Sequence, residues 1–336
     1  MKLLITGASG FLGKYVVAEA LQRGFQVVAA IRHTSDEKRL SWRNSPNLEL
    51  IRIDLTQSKG LPEAIKGIDS IVHLAAAKQG NYEMQYANTV TATENLLKAM
   101  VATNVKRLVA ISTFSVFDYL SIPDGGIINE DSPIENQPSY RDVYAQTKLI
   151  QESLFQEFEQ KHGGEVYGRN NLWNANLGVN LKNSLWIRIG GNSVLPLTYV
   201  ENCAQAIVNA CTHQEAIGKT LNIIDNDLPT QKAYTDKILK LLSPHPSTIG
   251  IYWALMRLLS RSVWLSNKVL FLGKIKLPGI FIPARLEPRF KPFRYSNEKA
   301  REVLDWQPIY SLDEALQRSY SDIDLLSEAS KTKIVS

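Results

Sequence analysis

Leu3-Leu-Ile-Thr-Gly-Ala-Ser-Gly-Phe-Leu-Gly13 decides how this 336-residue chain is to be read. The apolar run Leu3–Thr6 predicts a buried strand. Gly7, Gly10 and Gly13 then follow at the spacing that permits a tight turn, close backbone approach to a pyrophosphate, and close packing of a helix on a strand. The helical pattern Gly13–Arg23 comes next, so its unpaired N–H groups would face the phosphates. A glycine triplet alone is weak evidence; placed between a strand and a helix it predicts a dinucleotide site. Gly7, Ser9, Gly10, Phe11, Leu12 and Gly13 are its expected contacts, with a purely structural glycine turn as the plainer alternative.

Working outward, the runs Gln26–Ile31, Leu48–Asp54, Ser70–Leu74 and Arg107–Ser112 predict four more strands. Helical patterns lie between them at Leu61–Ile65, with Pro62 in its first turn, and at Tyr86–Thr103. A further helix is predicted over Tyr140–Lys161, ended by Gly163-Gly164. This alternation predicts an α/β fold, a Rossmann-type doubly wound parallel sheet with helices on both faces. Helices at Val200–Thr212, Thr230–Leu242, Glu298–Leu304 and Leu312–Tyr320 and a strand at Thr220–Ile224 follow. Residues 1–165 are expected to form the dinucleotide domain. Residues 166–320 form a smaller substrate-binding region with segments returning to that domain, and 321–336 a polar, frayed tail.

The second strand ends at Ala30-Ile31-Arg32, without the acid that an NAD site places there for the ribose 2′-OH. Arg32 offers a guanidinium fork for a 2′-phosphate, and His33 and Lys38 add positive charge. NADP(H) is therefore expected ahead of NAD, with a plain surface arginine as the alternative. Tyr144-Ala-Gln-Thr-Lys148 puts a phenol and an amine on one helix face. A free phenol titrates near pH 10, and a neighbouring ammonium lowers that value. Tyr144 could then move a proton to or from a carbinol oxygen while hydride passes to or from the nicotinamide, with Lys148 also placed to bind the nicotinamide ribose. The hydroxyl of Thr113 is the first candidate to bind the same substrate oxygen, before Ser115 and Ser112. Satisfying backbone groups at a strand end is the alternative for all three.

Composition bounds the rest. The chain is 44% hydrophobic and 21% charged, an ordinary globular balance. Two cysteines, Cys203 and Cys211, exclude a disulfide framework and a four-cysteine zinc site. The apolar N-terminal run is too short for a secretory signal, and no stretch is long and apolar enough to span a bilayer, so a cytoplasmic protein is expected. Five scattered histidines give no metal-ligand spacing, and no nucleic-acid module is visible. The net charge of +5 is unevenly placed: Ile249–Arg294 holds nine Lys/Arg against one acid, Glu287, among large apolar residues. Such a stretch could bind an anionic substrate or lie on a membrane surface, and peripheral membrane contact is expected over 249–283. A partly buried helical cap with solvated cations is the alternative.

Together, Thr6-Gly-Ala-Ser-Gly-Phe-Leu-Gly13, Asp54-Leu55, Val72-His-Leu-Ala-Ala76, Asn88, Ile111-Ser-Thr113, Tyr144/Lys148 and Tyr295–Trp306 resemble the extended short-chain dehydrogenase/reductases, in the NAD-dependent epimerase/dehydratase branch. The resemblance covers about residues 1–320. It implies that Asp54 and Leu55 flank the adenine, that Leu74, Ala75 and Ala76 line the middle of the cofactor, and that Lys78 lies near its phosphates. It implies a substrate held by the C-terminal half, often a nucleotide sugar, with Arg285, Arg289 and Arg294 as candidates for its diphosphate. It also implies homodimerisation through Tyr86–Thr103 and Tyr140–Lys161.

Two departures from that pattern stand out. Gln160–Gly168 runs almost directly into Val166-Tyr-Gly168, so the sixth strand of the family is expected to be missing. Asp118 replaces a usual glycine, and a long loop to Pro138 is expected to shape the substrate mouth. Three readings result: an NAD(P)-dependent oxidoreductase, epimerase or dehydratase, with nucleotide sugars the first substrate class; the same chemistry on a steroid- or isoprenoid-like alcohol or ketone; and a cofactor-binding sensor without turnover.

Overall fold

A computed structural model describes residues 1–37, 40–156, 161–163, 165–167, 169, 171–172, 177–181, 185–241, 246–321 and 323–327. In chain order its strands are β1 (Lys2–Thr6), β2 (Gln26–Ile31), β3 (Leu48–Arg52), β4 (Ser70–His73), β5 (Arg107–Ala110), β6 (Ile127–Ile128) and β7 (Lys161–Gly163). β8 (Glu165–Tyr167), β9 (Val179–Leu181), β10 (Leu185–Ile189), β11 (Leu197–Tyr199), β12 (Thr220–Asn222), β13 (Ser247–Ile251) and β14 (Arg294–Tyr295) follow. The helices are α1 (Phe11–Gln22), α2 (Leu61–Ile65), α3 (Tyr82–Tyr86), α4 (Ala92–Thr103), α5 (Val143–Gln156) and α6 (Val200–Ala210). The remaining five are α7 (Gln231–Leu241), α8 (Trp253–Leu270), α9 (Pro283–Phe290), α10 (Glu298–Leu304) and α11 (Leu312–Tyr320).

β3-β2-β1-β4-β5 form one parallel sheet, in register Leu4↔Val28 and Leu4↔Ile71 about its centre. Successive side chains of a strand point to opposite faces. Leu3 and Ile5 accordingly enter the core shared with α1 and α6, while Leu4 enters the core shared with α2 and α4. β2 divides in the same way, Val27, Ala29 and Ile31 against Val28. A sheet buried on both faces explains why these strands read as continuous apolar runs. The chain reverses its direction of winding between β1 and β4, and this opens a crevice at the carboxyl ends of the strands.

The expected loss of the sixth strand is corrected. Lys161–Gly163, assigned to a helix end from sequence, is the strand β7. It lies beside β5 and pairs in parallel with β12, Lys161↔Thr220 to Gly163↔Asn222. The sheet element is shortened to three residues but present, because parallel pairing needs backbone groups rather than β-forming side chains. The helix before it starts later than expected: Pro138–Tyr140 is a 3₁₀ turn, and the Asp142 carboxylate accepts the Ala145 N–H, capping α5. Residues 157–160 lie outside the described residues, as does Lys38.

Two further differences have local causes. The long helix predicted from Tyr86 begins at α3, where the Asn81 side chain accepts the Met84 N–H, and passes through a π-turn at Ala87–Thr91 before α4. The polar tail is docked over 323–327: Asp324 is fully buried and accepts from Tyr15 Oη (2.5 Å) and Arg169 Nε (2.7 Å). The 118–138 loop is anchored through Phe114, Phe117, Tyr119, Ile122 and Phe293, and its β6 pairs with β14. In the C-terminal half, β9, β10 and β13 form a small sheet, and Ile189, Met256, Leu286 and Phe290 pack α8 and α9 on it.

Candidate functional site

The glycine loop adopts the shape its residues permit. Gly7 sits at φ +66°, and a Cβ there would stand 3.1 Å from the Ala75 nitrogen after β4. A Cβ on Gly13 would stand 2.2 Å from the Gly7 carbonyl oxygen, so the first turn of α1 lies directly on the loop. Gly10 is the N-cap of α1 and offers no side-chain acceptor to the first N–H groups of the helix. These donors face the crevice mouth with the positive end of the helix dipole, which is the donor set a pyrophosphate needs. The loop therefore fits a dinucleotide.

Around that loop the expected contacts divide. Ser9 Oγ lies 3.0 Å from Ser35 Oγ, tying the phosphate loop to the turn after β2. Arg32 is exposed at the end of β2. The turn that carries it is shaped by Arg52, whose guanidinium donates to the His33 and Ser35 carbonyls (3.0 and 3.2 Å) and pairs with Glu37 (2.9 Å). Sequence reading missed Arg52. It stands opposite Ile31 in the β2–β3 register, so strand pairing was the available signal. Asp54 is exposed, with one carboxylate oxygen accepting from Thr56 N and Oγ1. Leu55 is half-buried, and its carbonyl accepts from Asn95. Leu74 and Ala75 are half-buried where the chain leaves β4, Ala76 is exposed, and Lys78 is exposed just beyond.

The candidate reacting end lies where α5 meets the end of β5. Tyr144 is half-buried in the first turn of α5, and Lys148, one turn on, is buried. Lys148 Nζ donates to the Ile111 carbonyl (2.6 Å) and to Gln151 Oε1. That places the ammonium under the strand end that carries Ser112 and Thr113. Burial pushes Lys148 down to about 8; the nearby Glu152 charge opposes this and Lys78 adds to it. Thr113 is half-buried and caps a 3₁₀ turn at Phe114–Val116: its Oγ1 accepts the Ser115 N–H at 3.2 Å, which leaves its O–H able to donate. The Ser112 hydroxyl is buried without a hydrogen-bond partner, and the Ser115 carbonyl accepts from Arg141.

Behind Lys148 runs a polar chain that sequence reading did not anticipate. Gln151 Nε2 donates to Thr93 Oγ1 (2.7 Å), and Thr93 donates to the Thr89 carbonyl (2.6 Å). With the Thr93 proton so placed, His73 Nε2 must donate to Thr93 Oγ1 (3.0 Å), and His73 Nδ1 accepts from Thr6 Oγ1 (2.8 Å). Thr6 Oγ1 in turn accepts the Leu74 and Ala75 N–H groups (3.2 and 3.3 Å). Each donor has one acceptor, which fixes the histidine tautomer. Burial, with the Lys148 charge adding, lowers His73 to about 3, so the imidazole is neutral. The chain joins Lys148 to the strand end that carries the glycine loop. Gln151 three residues after Lys148, and Thr89 four before Thr93, were the signals available for it.

Against known proteins, the model of the NAD dependent epimerase/dehydratase family matches residues 3–223. The chain belongs to that family. A mouse sterol-4-alpha-carboxylate 3-dehydrogenase, decarboxylating, is 24% identical over 95% of this chain and 90% of its own length. The human protein of the same name is 26% identical over 94% and 86%. Among solved structures, a UDP-glucuronic acid 4-epimerase from Bacillus cereus in complex with NAD superposes with a TM-score of 0.71 at 20% identity, covering 98% of this chain and all of its own. This epimerase/dehydratase-family chain is thus an NAD(P)-dependent enzyme of the oxidoreductase, epimerase and dehydratase kind, on the family's α/β fold. No described helix is long and apolar enough to cross a membrane.

Proposed function

We propose that the chain is an NADP(H)-preferring oxidoreductase acting at a secondary alcohol or ketone of an apolar, lipid-type substrate. The observation that carries the chemistry is the buried Lys148 ammonium, held under Ile111 one helical turn from Tyr144. When bound, a nicotinamide dinucleotide supplies the hydride acceptor for the alcohol or the donor for the ketone. Tyr144 takes the carbinol proton, or returns it to the carbonyl oxygen. The Lys148 cation favours the phenolate that this requires. Thr113 donates its hydroxyl proton to the same substrate oxygen. Arg32, exposed where an acid would hold a ribose 2′-OH, supports the preference for a 2′-phosphate.

The substrate class rests on what already holds the C-terminal cations. A nucleotide sugar, the first expectation from sequence, would call on Arg285, Arg289 and Arg294 for its diphosphate. Arg285 is already engaged by the Tyr140 and Arg141 carbonyls (3.2 Å each), and Arg289 sits 3.7 Å from Asp142. Arg294 donates to the Gly125 carbonyl. The same half of the chain exposes large apolar side chains, and the sterol-acting relatives match along nearly the whole chain. The test is turnover of NADP⁺ with detergent-dispersed secondary alcohols, set against conversion of UDP-sugars. Reduction of NADP⁺ by an apolar alcohol, lost in Tyr144→Phe, is expected. Epimerisation of a UDP-sugar without activity on any apolar alcohol would overturn the substrate class.

A further inference from the structure

Helix α8 is amphipathic in the wrong sense for a helix facing water. A surface helix turns its apolar stripe to the core and its polar residues outward. α8 buries Met256 together with two polar residues, Ser260 and Asn267, while Leu255, Leu258, Leu265, Val269, Leu270 and Leu272, on the helix and the turn that ends it, are between 55% and 77% exposed. On a helical wheel Leu255, Leu258, Leu265 and Val269 share one arc, and Ser260 and Asn267 lie opposite. A contiguous exposed apolar surface of this kind marks a contact with something apolar.

The turn that ends the helix extends the same face. Leu272 is held at φ +51°, a left-handed conformation costly for a branched side chain, with Gly273 at +74° after it. Asn267 fixes this turn: its carbonyl accepts the Phe271 and Gly273 N–H groups, and its side chain pairs with both backbone groups of Ile275. The buried polar residue of α8 thus holds in place a turn that presents Phe271 and Leu272 outward.

Charge identifies the occupant. Between the apolar arc and the core, one flank of α8 carries Trp253, Arg257, Arg261, Trp264 and Lys268, with Arg257 over the Trp253 ring (5.8 Å) and Lys268 over the Trp264 ring (5.1 Å). Indoles and long cations beside an apolar stripe are what an in-plane interfacial helix presents at the headgroup level. The one acid of the segment, Glu287, is buried and already shared by Arg261 and Lys291 (3.0 Å each). Lys268, Lys274 and Lys276 are exposed and enter none of the ion pairs among the described residues. A second copy seated face to face would bring these like charges together, whereas anionic headgroups neutralise them.

We propose that the outer face of α8, with the Phe271-Leu272 turn, docks on an anionic phospholipid surface, and that docking brings the α9 side of the catalytic cleft to the lipid that carries the substrate. The second half rests on the oxidoreductase reading above; the docking does not. The two are joined by α9, which packs against α8 and whose Arg285 holds the backbone immediately before α5 and Tyr144.

The test is co-sedimentation of the full chain with phosphatidylcholine vesicles, with and without phosphatidylglycerol, alongside mass by light scattering without lipid and NADPH binding for each variant. Binding to the phosphatidylglycerol vesicles, weakened by salt, is expected. Leu258→Ser and Leu265→Ser each lower it roughly tenfold. The triple Lys268→Gln, Lys274→Gln, Lys276→Gln lowers it on the order of a hundredfold for anionic vesicles only. All of these variants keep NADPH affinity, because none touches the cofactor site. Equal binding to neutral vesicles, no binding to either, or self-association abolished by the leucine variants would each overturn the proposal. Vesicle binding without binding of either NADPH or NADH would leave docking standing and remove the oxidoreductase reading; dinucleotide binding without vesicle binding would do the reverse.

Discussion

The crevice at the sheet edge and the surface of α8 break the usual inside-outside rule in opposite ways. Around Lys148 the chain buries polar groups and links them in a continuous hydrogen-bonded chain, from Gln151 through Thr93 and His73 to Thr6. On α8 it leaves leucines more than half exposed. The first arrangement holds one cation rigidly at a considerable desolvation cost; the second leaves surface available to a partner. Functional sites are where local consistency is relaxed, and both regions are such places.

The sharpest way to break the first half of this comparison is Tyr144→Phe. Turnover should fall by about a thousandfold while NADPH affinity is unchanged, measured by steady-state kinetics and fluorescence. Retained turnover would mean that the proton moves elsewhere.

Next comes the pH dependence of stability. Lys148 titrates near 8 when folded and near 10.5 when unfolded, so the folded state disfavours its cation. The resulting penalty is fully present below pH 8 and is relieved as pH rises from 8 towards 10.5. Lys148→Met removes it. The variant's stability relative to wild type should therefore be highest at neutral pH and decline by roughly 3 kcal/mol across that window, read from denaturant midpoints.

Gly13→Ala tests the close contact at the loop. Its methyl group would meet the Gly7 carbonyl, and overpacking of this kind should cost about 1–3 kcal/mol of stability, read from denaturant midpoints. The smallest effect is Gln151→Leu, which strips Lys148 and Thr93 of one partner each. A loss of about 1–3 kcal/mol in stability is expected. Gln151→Glu restores an acceptor and adds a charge beside Lys148, so it should raise the Lys148 pKa and narrow the pH window above. If both variants behave as wild type, the polar chain has no role in holding the lysine.

The parts of this molecule that were legible in the sequence are those where one residue type answers one physical demand. Gly7 and Gly13 read correctly because only glycine fits a positive φ or an approach of that closeness. The inner strands read correctly because a doubly covered sheet requires near-continuous apolar runs, and the edge strand β3 read correctly from its apolar and β-branched residues despite Glu49 and Arg52. Lys161–Gly163 did not, because a three-residue strand is specified by its neighbours β5 and β12 rather than by its own side chains. The docking of residues 323–327 was hidden for a similar reason: Asp324 finds Tyr15 and Arg169, far away in sequence. In the candidate site, the placement of Tyr144 and Lys148 one turn apart on α5 was legible, because their spacing is local. Its supporting chain was not, since His73, Thr93 and Gln151 come from three separate elements. The basic apolar segment was visible as composition, but which of its faces met water depended on tertiary packing.

The central claim, that the crevice binds a phosphorylated dinucleotide for hydride chemistry, is tested most directly by titrating the purified chain with NADPH and NADH, followed by fluorescence, in wild type and Arg32→Ala. Saturable binding of both is expected, tighter for NADPH, with the NADPH advantage falling by about tenfold in Arg32→Ala as one charge-assisted pair is lost. Absence of binding by either dinucleotide would contradict it.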